Sequence, residues 1–556
     1  MVMIRSQIQE NRSMTPQNDK NPGFFDPKTL IAVGAVAVIY FGWQTYLGKK
    51  YPEYNKPKTV QTQTAENTAT TSENVAAPAA TVEAKSETVA PPTQEQSFTF
   101  TNDKVSFQIS NHGMGLKNFT VNNYEDKQGN KIKLGAGVND GLYALRFLGH
   151  DKPVVFNMSE KAPGSYVGVA QVGDMTITRE MNFDPAKSSF TNTVSFNKPT
   201  EDVKKGFSLL IPETIHVSKS TSWLFPSYEH QDFFVSHEGD KHDTVNFSNS
   251  KENVVKDFPN TEMISVSSQY FAAAVLDKSE IIPEVKLTSN VEKQTAMAEL
   301  TYKPVQLKDE MKFSQIFYAG PKSIDLLKAA DPELAHIIDF GFFGFIARPL
   351  LYVMKACHAL AGNWGIAIIL LTLLVRFVVL PFNIMSAKSM KAMQKVQPII
   401  QGLREKYKDD AMRLNTEMMA VMKQHGANPM SGCLPMILQI PIFFALYRVI
   451  GSSIELYNSP FILWINDLSA HDKFYVLPVS MAIFMYIQQK ITPSTMDPTQ
   501  AKIMAFMPLV FSVFMLQLPS GLTLYMVVST LFGIIQQYLI MRDPTAKPVV
   551  KTVKAK

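Results

Sequence analysis

Two kinds of hydrophobic patterning divide the chain. From Ser97 to about Phe317, apolar and polar residues alternate in short runs: Phe98-Thr-Phe100, Val105-Ser-Phe-Gln-Ile109, Met175-Thr-Ile-Thr178, Phe190-Thr-Asn-Thr-Val-Ser-Phe196. Period-two runs broken by Asn, Gly, Asp and Pro predict antiparallel strands, enough here for a large β-sandwich with a solvated outer face. After Leu360 the alternation gives way to long apolar runs at residues 363–382, 433–451, 474–491, 501–518 and 521–541. Each has about the length of one bilayer crossing. A sixth run, 29–47, precedes the strands, with Tyr40, Phe41, Trp43 and Tyr46 grouped as in an interfacial aromatic belt. Gly48-Lys-Lys-Tyr51 follows it where a signal peptide would have small residues, so an uncleaved anchor is expected.

The segments between these blocks fill in the organisation. Residues 48–96, rich in Thr, Ala, Glu, Pro and Val, predict a disordered linker to a β-domain over 97–328. Within 329–361, the stretch Phe340–Leu360 sets Arg348, Lys355 and His358 opposite Phe345, Ile346, Leu350 and Leu351, the pattern of an amphipathic helix lying in the membrane interface. In 383–430, Met393, Val396, Ile400, Leu403 and Tyr407 step by three and four, as do Ala411, Leu414, Met418 and Val421. Lys408-Asp-Asp410 marks a turn between them, so a helical hairpin with an apolar seam is expected. Met385, Met390, Met412, Met419 and Met422 are surplus to that seam and suit irregular contact. Met393, Arg404, Asp409 and Met419 are the candidate contact residues of the hairpin. The hairpin carries eight Lys and Arg, and the tail 542–556 is basic, whereas 452–473 holds Glu455, Asp467 and Asp472 against Lys473. The positive-inside rule then places hairpin, tail and the N-terminal residues 1–28 in the cytoplasm and the β-domain outside. The expected protein is multi-domain, with six transmembrane helices (an anchor and a five-helix core over 362–541) and a large extracytoplasmic antiparallel β-sandwich.

Composition narrows the chemistry. A net charge of +5 over 556 residues, with no basic stripe interleaved with aromatics, gives no case for nucleic-acid binding. Two cysteines, Cys357 and Cys433, exclude a cysteine-built metal site and leave the β-domain without disulfides. No Walker loop, nucleophile elbow or dinucleotide fingerprint occurs. His237-Glu-Gly-Asp-Lys-His242 has its histidines five apart rather than four and reads as a solvated loop, not a zinc site. No cofactor, metal or catalytic residue is expected. The spans are more informative. Arg376 lies within an apolar run, where a guanidinium costs roughly 2.5–3.5 kcal/mol on insertion scales. Thr372 is one turn before it on the same face. Gln439, Gln488, Gln489, Gln517, Ser529, Gln536 and Gln537 add polar groups to other spans, but no Asp or Glu does. Each alone reads as an interhelical hydrogen bond; together with an arginine lacking an acidic partner they suggest a shared hydrated cavity.

Asn363-Trp-Gly, Thr372-Leu-Leu-Val-Arg376, Gln397-Pro398, Asn428-Pro-Met-Ser-Gly-Cys-Leu-Pro435, Gln439-Ile-Pro-Ile-Phe-Phe-Ala-Leu-Tyr447, Phe461-Ile-Leu-Trp-Ile-Asn-Asp-Leu-Ser469, Phe506-Met-Pro508 and Leu518-Pro-Ser-Gly-Leu-Thr-Leu-Tyr525 follow one another in order. This set resembles the YidC/Oxa/Alb family of membrane protein insertases. The anchor, linker and β-domain resemble its Gram-negative branch, as do Asn111-His-Gly-Met-Gly115 and Gln269-Tyr-Phe-Ala-Ala273. The resemblance implies an inner-membrane insertase and chaperone for nascent membrane proteins, acting alone or beside the Sec translocon, with ribosomes as transient partners and lipid around it. It implies a hydrophilic groove lined by Arg376, Thr372, Gln439, Gln488, Gln517, Tyr525 and Met526, the last standing where some relatives have a second tyrosine. It also implies a β-supersandwich in the periplasm, akin to sugar-binding and mutarotase folds and largely dispensable for insertion. An alternative of another class is a membrane-tethered carbohydrate-binding or carbohydrate-active protein whose working part is the β-domain.

Overall fold

The computed structural model describes residues 95–135, 141–216, 230–239, 241–248, 252–425, 434–491 and 498–542. The N-terminal tail, the anchor 29–47, the linker up to residue 94, Cys433 and the tail beyond residue 542 lie outside the described residues.

The alternating runs form three antiparallel sheets. The largest has nine strands, in spatial order Lys241–Asn246, Gln231–His237, Thr261–Ser268, Phe271–Asp277, Glu310–Pro321, Ser189–Asn197, Met175–Asp184, Ser165–Val172 and Asn157–Ala162. A five-stranded sheet, centred on Thr295–Tyr302 and Phe207–Thr214, and a four-stranded sheet over Ser97–Leu134 share one apolar core with it. Strict alternation along Met175–Asp184 turns Met175, Ile177, Met181 and Phe183 inward, and it places Arg179 in the same inward row. Burial pushes the Glu213 carboxyl up to about 7, although it accepts amide hydrogens from Thr214 at 2.9 Å and Gly135 at 3.3 Å. Folding therefore takes up a proton between pH 4.5 and 7, and stability that is full below 4.5 falls as pH rises to 7, by on the order of 3 kcal/mol. Glu213→Gln is expected to flatten that slope. Melting temperatures of the full chain at pH 5 and pH 8 check it, and an unchanged difference between them would contradict the assignment.

The outer face of the large sheet is not solvated throughout, contrary to the alternation argument. Strand Phe271–Asp277 is buried on both faces apart from its last residue. Its second face, with Met263 and Tyr318, packs on helix Ile324–Ala330 and the 3-10 turn Pro332–Ile337, and this core continues into the helical region. The signal is the unbroken apolar run Phe271-Ala-Ala-Ala-Val-Leu276, which suits a strand covered on both sides.

Nine helices are found among the described residues: α1 (Glu201–Lys205), α2 (Ile324–Ala330), α3 (Gly344–Ala361), α4 (Trp364–Lys406), α5 (Ala411–Gln424), α6 (Leu434–Ser452), α7 (Val476–Ile491), α8 (Pro498–Met515) and α9 (Ser520–Arg542). Residues 364–393 and 520–540 are long and apolar enough to cross a membrane, and 439–452 and 476–491 are shorter apolar segments. Helix α3 ends at Gly362, whose left-handed backbone lets its amide reach the His358 carbonyl. Asn363 then caps α4 by accepting the Ile366 amide at 3.1 Å. The expected end of this span at Phe382 is not a break. The helix continues to Lys406, so the first arm of the hairpin is the span prolonged, about 65 Å in all. The face of α3 also differs from expectation. Ala347, Leu351, Met354 and Cys357 are buried, while Phe345 is exposed. Lys355 bridges Asp325 and Glu455 at 2.8 Å each, and His358 stacks on Trp364 at 3.8 Å. Lys355 and His358 thus bind protein rather than solvent, whereas Arg348 is exposed.

The β-domain is fastened to these helices. Gln269 Nε2 donates to the Gly451 carbonyl at 2.7 Å, at the end of α6. Tyr457 Oη and Asn458 Nδ2 donate to the Glu125 carbonyl at 2.9 and 2.8 Å.

Candidate substrate groove

Helices α4 and α9 carry the polar side chains in matching register. The Arg376 guanidinium reaches across to α9, donating from Nε to Ser529 Oγ at 2.9 Å and from Nη2 to the same oxygen. Seven residues further along both helices, Asn383 Nδ2 faces Gln536 Oε1 at 3.5 Å, with the same separation of 153 residues. Two helical turns on each helix keep one face aligned, and Thr372 and Tyr525 hold the corresponding positions a turn earlier. Thr372 is fully buried and spends its hydroxyl on its own helix, donating to the Ile368 carbonyl at 2.6 Å. Tyr525 is 2% exposed, and its hydroxyl accepts from Gln439 Nε2 on α6 at 2.6 Å. A polar chain thus links α6, α9 and α4: Gln439, Tyr525, Ser529, Arg376. Among the described residues no carboxylate forms an ion pair with Arg376.

The other expected groove residues divide. Gln488 on α7 comes against α9, where a Cβ on Gly533 would lie 3.2 Å from its Nε2. Met526 is half-buried against the helical core. Gln517 stands apart: it is exposed in the turn after α8, beside Ser520, whose amide binds the Ala470 carbonyl at the end of the helices far from Asn383. Asn383 was missed because the expected span stopped one residue short of it. Toward the β-domain the polar chain is closed by apolar packing of Ala367, Ile368, Leu371, Leu446, Val449, Ile450 and Leu522.

In the hairpin, Met393 packs with Val396, Ile400 and Met422 in the seam between α4 and α5. Met393 is therefore interior and not an outward contact, and Met422 is no surplus methionine. Met385, Met412 and Met419 are exposed, as is Asp409, while Arg404 is half-buried. His237 and His242 lie on paired strands rather than in a solvated loop. His237 Nε2 meets Asp243 Oδ2 at 2.8 Å, and the His242 ring packs on Phe234 and on His336. Among the described residues no three His, Cys, Asp or Glu cluster as metal ligands.

A β-rich domain is fastened to a bundle of apolar helices, two of them long enough to cross a membrane, with an arginine, a tyrosine and a glutamine joined inside it. The profile described as "60Kd inner membrane protein" matches residues 356–547, and that described as "YidC periplasmic domain" matches 97–353. A membrane protein insertase YidC from Citrifermentans bemidjiense is 34% identical over 470 residues, covering 80% of this chain and 84% of that protein. The YidC of Geobacter sulfurreducens is 44% identical over 281 residues, covering 50% of this chain and 52% of its own. That of Campylobacter jejuni is 46% identical over 224 residues, with 40% and 42% covered. Alignments with the latter two thus span about half or less of those relatives' length. The chain belongs to the YidC family, whose members are named as insertases and not as enzymes.

Proposed function

We propose that this chain inserts nascent membrane proteins into a bacterial inner membrane through a polar groove between α4, α6, α7 and α9. The observation that carries the reading is Arg376, held at one point by a neutral hydroxyl and with no carboxylate partner among the described residues. A desolvated cation so placed attracts the acidic or polar leading segment of a visitor. Bringing charge and hydrogen-bonding groups partway into the bilayer shortens the polar segment's crossing. The apolar segment of the substrate then leaves along the helices into lipid, where burial makes release favourable. No covalent step is required.

In this reading six helices cross the membrane: the anchor 29–47, the first part of α4, then α6, α7, α8 and α9. The basic hairpin and tail lie in the cytoplasm, the β-domain in the periplasm. Exposed Met412 and Met419 on the hairpin suit irregular contact with nascent chains or the ribosome, and cooperation with the Sec translocon is part of the proposal. Photocrosslinkers at Gln439 and Tyr525 are expected to capture ribosome-bound nascent chains of single-span substrates. Crosslinks from exposed Gln517 but none from Tyr525 or Gln439 would overturn this location of the groove.

A further inference from the structure

The end of α6 nearest the β-domain carries a cation that the fold leaves without a counter-charge. Arg448 is exposed, one turn before Ser452, and among the described residues no ion pair or side-chain hydrogen bond reaches its guanidinium. It lies against Gly341, where a Cβ would be 3.4 Å from its Nε and 3.7 Å from its Cζ and Nη2. Asp339 is close in sequence to that contact, but its Oδ1 accepts the Gly341 amide at 2.7 Å and it forms no ion pair with Arg448.

The acids of the following segment are engaged elsewhere. Glu455 pairs with Lys355 at 2.8 Å. Asp467 Oδ1 accepts the amides of Asn458 and Ser469, and Asp472 accepts Trp464 Nε1 and the Leu477 amide. A positive residue at this end runs against the charge bias that orients the chain, and no carboxylate among the described residues forms an ion pair with it.

Its surroundings point to lipid. Phe342 is 88% exposed and Phe345 71% exposed, at the entry to α3, and Phe444 on α6 stacks on Phe343 at 6.1 Å. Arg348, in the second turn of α3, is also exposed and also without a partner among the described residues. Large exposed aromatics beside arginines, at the ends of apolar helices, match the headgroup level of a bilayer, where aromatic rings sit and arginine reaches phosphate.

We propose that Arg448, supported by Arg348, binds the phosphate of an anionic phospholipid in the leaflet nearest the β-domain, with the acyl chains lying over Phe342 and Phe345. The guanidinium fork takes two phosphate oxygens at once. Two cations that no carboxylate pairs with among the described residues favour a lipid with net negative charge over a zwitterion, whose ammonium would add like charge. The exposed rings favour a lipid over free phosphate. The proposal rests on the membrane placement given above, not on insertase activity.

The test uses the full chain, with a photoreactive residue in place of Phe345, in vesicles of equal parts phosphatidylglycerol and phosphatidylcholine. Adducts are identified by mass. Phosphatidylglycerol adducts are expected in roughly fivefold excess, the factor that one cation near the headgroups supplies. Arg448→Gln should bring the ratio close to that of the bulk lipid, and Arg448→Lys should leave it intermediate. An exposed site leaves the melting temperature of either variant unchanged, which separates lipid selectivity from misfolding. Adducts without a phosphatidylglycerol excess, or an excess untouched by Arg448→Gln, overturn this proposal alone. No lipid adducts of either kind would overturn the membrane placement and this site with it.

Discussion

Replacing Arg376 by alanine is expected to lower insertion of single-span, acidic-tailed substrates by about 10–150-fold, the loss that corresponds to one charge-assisted hydrogen bond of about 1.5–3 kcal/mol. The guanidinium faces Ser529 and no carboxylate among the described residues, so its removal breaks no internal ion pair and the bundle should still assemble. Arg376→Lys keeps the charge but gives up the fork of Nε and Nη2 on Ser529, and should retain most activity. Ser529→Ala frees the guanidinium from its fixed orientation and should produce a smaller defect than Arg376→Ala. Complementation of a depleted strain and reconstituted insertion assays measure all three. Normal insertion by Arg376→Ala across a panel of acidic-tailed substrates would remove charge attraction from the mechanism. A lysine variant as inactive as alanine would instead assign the role to geometry.

The second large effect is structural. Arg179 is completely buried in the β-domain, and burial pushes its guanidinium down to about 9. It donates from Nε to Asn192 Oδ1 at 2.8 Å and from Nη1 to the Gly113 carbonyl, and it lies 5.6 Å from the Phe317 ring centre. Asn192 passes the network to Gln315 at 2.5 Å, Gln315 to Tyr302 at 2.8 Å, and Tyr302 donates to Asp277 at 2.6 Å. Gly113 has φ +64°, and a Cβ there would come within 2.7 Å of the Leu145 amide nitrogen, so the loop that Arg179 holds is tightly set. Arg179→Ala would leave the Gly113 carbonyl and Asn192 with lost partners and open a cavity in the core. A loss of about 2–5 kcal/mol is expected from the unsatisfied partners and the cavity. Denaturant unfolding and protease resistance of the β-domain in the full chain measure it. Arg179→Lys keeps the charge without the fork and should fall between. A change under about 1 kcal/mol for the alanine variant would show that the network contributes little, as exposed polar groups do.

These two arginines show where sequence reasoning stops. Arg376 was conspicuous because a charge in a long apolar run violates the local pattern. Arg179 also breaks a pattern, standing in the apolar row of Met175, Ile177, Met181 and Phe183. What the alternation does not supply is its partners, Asn192 and the Gly113 carbonyl, which come from other segments. Ser529, Asn383 and Gln536 stood in the sequence as ordinary polar residues. Their importance comes from two helices far apart in the chain lying side by side with a constant offset, which no local rule supplies. Gln517 and Gln439 looked equivalent as glutamines in apolar runs, yet one ends a helix in an exposed turn and the other meets Tyr525.

The sequence by itself determined the division into a strand-rich and a helix-rich region, the apolar helices, the hairpin seam and the family. Each follows from periodicity, length or ordered motifs, which are properties of neighbouring residues. Tertiary structure decided which face of α3 is buried, that α4 runs unbroken into the hairpin, that part of the outer face of the large sheet is covered, and which polar groups share a site. Those outcomes depend on packing between distant segments. A residue's environment is set there by its neighbours in space, and period and composition do not record them.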